Sequence, residues 1–98
     1  MIIYICGPMT GMKDFNRPAF NITAALLEGG GDVVLNPASL PSGLSQFQYM
    51  DICMAMLRSA DAIFLLNRWE LSAGAQAEAA LAHKLGLKIL EQRQYNTK

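Results

Sequence analysis

The chain is short of charge. Only 16% of its 98 residues are Asp, Glu, Lys or Arg, with eight basic residues against eight acidic ones, one His and one Trp. A protein that holds a nucleic-acid polymer by its backbone needs clustered cations, and here four Lys and four Arg are scattered along the chain, which argues against that function. The two cysteines, Cys6 and Cys53, form neither a disulfide framework nor a metal-ligand spacing. Each lies in an apolar run and reads as a buried thiol in a reducing compartment. With a single His and no His/Cys/Asp ligand cluster, no metal and no organic cofactor is expected. No apolar run approaches the roughly 20 residues that span a bilayer, and the opening Met1–Cys6 is far shorter than a signal-peptide core. A cytoplasmic protein without membrane contact is expected. What is abundant is hydrophobicity, at 52% with zero net charge, which excludes disorder as the main state and suits one domain spanning residues 1–98.

The apolar pattern alternates between short runs and helical stripes. Met1–Cys6 reads as a strand buried on both faces and closed by Gly7-Pro8. Residues 16–28 carry apolar positions at helical spacing and stop at Gly29-Gly30-Gly31. Asp32–Asn36 is a second strand, 38–45 a Pro/Gly/Ser loop, and 46–59 a helix whose stripe is Phe47, Met50, Cys53, Met54 and Leu57. The methionines there read as core filler. Asp61–Leu66 is a third strand, with Asp61 as a structural cap. Residues 73–85, dense in Ala, form a third helix ending at Gly86, Leu87–Leu90 is a fourth strand, and the polar tail 92–98 is expected to fray or to serve a subunit contact. The order β-α-β-α-β-α-β predicts an α/β three-layer sandwich, flavodoxin-like or Rossmann-like, around a parallel sheet of four strands, or five, with right-handed crossovers.

In such a sheet, ligands bind at the carboxyl ends of the strands, where the strand order reverses. The loops at that edge hold Gly7, Thr10, Gly11, Asn36, Trp69, Glu70, Ser72, Gly74 and Glu78. Gly7-Pro8-Met9-Thr10-Gly11 offers backbone N–H groups and a hydroxyl to a phosphate or sugar oxygen. It is neither a Walker loop nor a dinucleotide turn, and a bare turn explains it as well. Glu78, in the first turn of the third helix or just beyond it, would be held ionised by the helix dipole. A positioned carboxylate is what glycosyl transfer needs as nucleophile, and the bland alternative is a helix-start Glu. Glu70 is a second acid or base, or a solvated loop Glu. Trp69 stacks on a base or sugar, or packs under the sheet edge. Asp51 points to the site from the second helix, or only charges that helix's start. His83 lies about 140° around the helix from Glu78, at roughly 100° per residue, and reads as an exposed helix residue.

The residues Tyr4-Ile5-Cys6-Gly7-Pro8-Met9-Thr10-Gly11, with Ala60-Asp61-Ala62-Ile63 and Trp69-Glu70-x-Ser72-x-Gly74-Ala75-x-x-Glu78, resemble the nucleoside 2-deoxyribosyltransferase-like superfamily. Within it, the chain is similar to a small phage and bacterial branch known only as a domain of unknown function. The resemblance covers most of the chain. It implies that Glu78 is the nucleophile attacking the anomeric carbon of a nucleoside or nucleotide, that Tyr4 orients that carboxylate, and that Ser72 contacts the sugar. It implies transfer of the sugar to a second base or to water, no cofactor, and a homodimer or larger homo-oligomer in which a partner chain completes the site. Three departures stand out. Cys53 occupies the place of the base-contacting Asp, with Asp51 the nearest acid. Pro8 and Met9 replace the polar loop residues of the phosphate-specific hydrolases. The longer C-terminal extension of the transferases has no counterpart. A non-catalytic nucleotide-binding module, or a phage-encoded interaction protein on the same fold, is the alternative.

Overall fold

The structure is a computed structural model and describes residues 1–96. Four strands, β1 (Ile2–Cys6), β2 (Val33–Leu35), β3 (Ala62–Leu65) and β4 (Lys88–Glu91), form one parallel sheet in the order β2-β1-β3-β4. The helices between them are α1 (Arg17–Gly29), α2 (Gln46–Arg58) and α3 (Ala73–Lys84). The fold is thus the expected α/β architecture, with four strands among the described residues.

Alternation along the two central strands decides which helix lies where. Ile3 and Ile5 of β1 and Ala62 and Phe64 of β3 pack with Phe20 and Ala24 of α1 on one face of the sheet. Tyr4 and Cys6 of β1 and Ile63 and Leu65 of β3 pack with Cys53 and Leu57 of α2 and Ala75, Ala79 and Ala82 of α3 on the other. Both faces are covered, which is why β1 and β3 read as continuous apolar runs. The alanines of α3 let that helix lie close to the sheet. Asp61 accepts a hydrogen bond from the Ile2 N–H at 2.8 Å and ties β3 to β1 at the end of the sheet away from the cleft, as a structural cap.

Three expectations change. Phe47 of α2 is 85% exposed, so it is no part of the core stripe, whereas Cys53 and Leu57 are buried. On α1, Ile22 and Leu26 are exposed while Phe20 and Ala24 carry the packing. The tail is not frayed from residue 92: Gln92–Asn96 forms a fourth helix, α4, and the Gln92 side chain accepts from the Asn67 N–H at 2.8 Å. Residues 97–98 of that predicted tail lie outside the described residues. Among the described residues, no helix is long and apolar enough to cross a membrane.

Candidate functional site

From β1 the chain moves to β2 on one side and returns to β3 on the other, so the order reverses between β1 and β3. A cleft of about 610 Å³ opens at the carboxyl ends of these two strands, a size suited to a small-molecule ligand. The loop after β1 forms one wall with Gly7, Thr10 and Gly11. The start of α3 forms another with Ser72, Gly74 and Ala75, and α2 contributes a third with Gln46, Tyr49, Met50 and Cys53. Tyr4 and Glu78 lie at the floor.

The floor is a compact polar cluster inside an apolar shell. Glu78 is only 8% exposed, and that burial pushes its carboxyl above the ordinary range. The Cys6 thiol and the Tyr4 hydroxyl, which hydrogen-bond to it, pull the other way. The Ala75 carbonyl, 3.5 Å from the Cys6 sulfur, is the other acceptor within reach of that thiol's single proton. Burial, reinforced by the Glu78 charge, holds the Tyr4 phenol and the Cys6 thiol far above their usual ranges, so both stay protonated as donors. Tyr4 also hydrogen-bonds to Cys53, whose thiol is raised first by burial. Glu78 therefore differs from its expected electrostatics. It is the sixth residue of α3, beyond the first turn where the helix dipole acts, and desolvation outweighs any help from that end.

Ser72 is the N-cap of α3, its Oγ accepting from the Ala75 N–H at 3.2 Å. That bond leaves the hydroxyl proton free to donate into the cleft. Gly7 has a structural reason independent of any ligand. A Cβ there would stand 2.8 Å from the Leu66 Cβ, so only glycine lets β1 end this close to the segment after β3. Gly11 adopts φ +83°, the left-handed turn conformation. Asn16 donates to the Pro8 carbonyl at 3.0 Å and fastens the β1 loop to the start of α1.

Four sequence-predicted residues do not line the cleft. Asp51 is exposed on α2, off the face that carries Tyr49, Met50 and Cys53. Asn36 is spent on the next turn: its Oδ1 accepts from the Ala38 N–H and its Nδ2 donates to Asn21, each at 3.0 Å. Glu70 pairs with Arg93 at 3.2 Å, and its carbonyl accepts from Gln76. Trp69 opens a 3₁₀ turn, Trp69–Leu71, that tucks the indole against the α2/α3 side of the core, so it packs rather than stacks. His83 is exposed, as expected.

The sequence pattern did not single out the α2 wall or the two arginines at the mouth, Arg17 and Arg68. The signal for the wall was present. Gln46, Tyr49, Met50 and Cys53 recur at i, i+3, i+4 and i+7, one helical face, but the same spacing serves a core. No group of three His, Cys, Asp or Glu residues among the described residues could hold a metal ion.

A parallel α/β domain with a buried carboxylate at its strand-order switch defines the class of protein. The chain belongs to the family DUF4406, a domain of unknown function, which residues 1–91 match. A solved structure of 2-desoxiribosyltransferase from Leishmania mexicana is similar, with 26% identity and a TM-score of 0.74, over 92% of this chain and 62% of that one. The chain thus spans less than two thirds of that protein's length. No match to a curated protein was found.

Proposed function

We propose that this domain cleaves or transfers the N-glycosidic bond of a (deoxy)nucleoside or nucleotide through a glycosyl ester on Glu78. The observation that carries this reading is that Glu78, alone among the described acidic residues, lines the cleft, buried at its floor and held by donors from β1. The similarity to a deoxyribosyltransferase structure supports the same chemistry. A Glu78 carboxylate oxygen bonds to C1′ as the bond from C1′ to the base nitrogen breaks. The electron pair leaves with the base, which takes up a proton. Water or a second base then attacks C1′ and restores the carboxylate. Tyr4 keeps the attacking oxygen oriented, and Ser72, with the backbone around Gly74, faces the sugar. The domain is expected to work as a homodimer or larger assembly, which sedimentation velocity measures.

One observation favours a second reading. Among the described residues no second acid lines the cleft to protonate a departing base, which suits a nucleotide-binding module without turnover or an interaction protein on the same fold. Incubation with deoxynucleosides and their monophosphates, with and without an acceptor base, separates these readings. Released or exchanged base, lost in Glu78→Ala and kept in Glu70→Ala, is the expected result. Ligand-dependent thermal stabilisation without base release would transfer the assignment to the binding module.

A further inference from the structure

The cleft has an uneven charge. Its charged lining residues are Glu78 at the floor and two cations at the mouth, Arg17 and Arg68. These cations come from different segments. Arg17 opens α1, and Arg68 sits in the loop between β3 and α3. Arg17 is engaged by Asp14 at 3.2 Å, but the Asp14 side chain is 58% exposed, and an ion pair so solvated is worth little. Arg17 also lies over the Phe15 ring, 5.0 Å from its centroid, which holds the guanidinium at the cleft wall.

Arg68 is less occupied still. Its side chain makes no hydrogen bond or ion pair among the described residues. Glu70 and Glu91 share a small neighbouring pocket with it, yet both carboxylates are bound to Arg93. Its backbone is left-handed, at φ 70° and ψ 15°, a conformation that costs a non-glycine residue of order 1 kcal/mol. A strained position carrying an unspent guanidinium at a ligand cleft is a candidate ligand contact rather than a folding requirement.

We infer that the cleft selects an anionic substrate, and that Arg68, with Arg17, recognises the phosphate of a nucleoside monophosphate in preference to the free nucleoside. The inference rests on the nucleoside chemistry proposed above and names the substrate class within it. It also runs against the departure at Pro8 and Met9. The β1 loop lacks polar side chains there, and the positive charge is supplied instead by residues outside that loop. A guanidinium offers planar paired donors to phosphate oxygens, and such charge-assisted contacts are the stronger kind of hydrogen bond.

The test measures binding apart from turnover. Glu78→Gln protein is titrated calorimetrically with the four 2′-deoxynucleosides, with their 5′-monophosphates, and with inorganic phosphate alone. The expected result is at least ten-fold tighter binding of a monophosphate than of its nucleoside. That preference should shrink as salt is raised, collapse in the added background of Arg68→Gln and survive Arg68→Lys in part. Circular dichroism melting of each variant shows whether the fold is kept. Because Arg68→Gln relieves no packing, a normal melt with lost preference isolates the contact. Equal affinity for nucleoside and monophosphate overturns the inference, as does a preference that Arg68→Gln leaves intact. Tight binding of inorganic phosphate with no added affinity from the nucleoside marks a bare anion site and also overturns it. The two readings fail separately. Base release from free nucleosides with no monophosphate preference refutes only the inference, and monophosphate preference without base release by the unmodified protein refutes only the catalytic reading.

Discussion

At Glu78 burial and hydrogen bonding oppose each other, and burial dominates. The folded protein therefore holds a proton on this carboxyl more tightly than the unfolded chain does. The stability linked to it is fully present below the ordinary carboxylate range and is lost as pH rises through the raised folded value. Glu78→Gln removes that loss. Its melting temperature should exceed that of the unmodified protein at pH 8. The gap should close at about pH 4, where both side chains are neutral, and calorimetric melts across that range read it directly. Activity has the opposite sign. Under the proposed function Glu78 must be ionised to attack, so turnover is expected to rise with pH through the same raised value. Tyr4→Phe deletes a donor that favours the carboxylate, and the rising limb of its pH–rate profile is expected at higher pH, with lower kcat. At Gly7 the argument is steric. Gly7→Ala places a methyl 2.8 Å from the Leu66 Cβ, and the overpacking is expected to cost about 1–3 kcal/mol in urea denaturation.

Among the elements, α3 does two tasks at once. Its first turn lines the cleft and its body presses alanines against β1 and β3. The Ser72 cap secures that turn, so Ser72→Ala should lower stability by about 0.5–2 kcal/mol by thermal melt. The strands and helices were legible in the sequence because the short apolar runs of β1 and β3 suit strands buried on both faces, and the alanine density of α3 suits a helix laid close on a sheet. Glu78, Ser72 and the Gly7–Gly11 loop could be placed at the cleft because parallel topology assigns strand ends to one edge, whereas Tyr4, inside β1, was reached only through the family resemblance. The wall from α2 was not legible, since Tyr49, Met50 and Cys53 at helical spacing look the same in a core as beside a cavity. Trp69 and Glu70 were misplaced for a different reason. Loop direction there depends on a 3₁₀ turn and on Arg93, about 23 positions further along, which no local pattern reveals.

For the whole molecule, the sheet order places the first strand in the middle. β1 pairs with β2 on one side and β3 on the other, so the earliest segment of the chain waits for two later ones. Tyr4 and Cys6 meet Glu78 only after nearly the entire sequence between them has been threaded into crossovers. Contacts of such long sequence separation are slow to form because loop closure precedes their reward. The site is therefore expected to form late in folding, and binding competence should return with the slowest refolding phase rather than with early helix formation. Trp69, packed against the same side of the core, supplies the fluorescence signal for that phase. A chain truncated before α3 would lack more than Glu78, because the strand carrying Tyr4 and Cys6 would present those side chains to water instead of to Glu78 and Ala75. With that assembly order, the cleft and its shielded carboxylate would take shape together, only when the fold is finished.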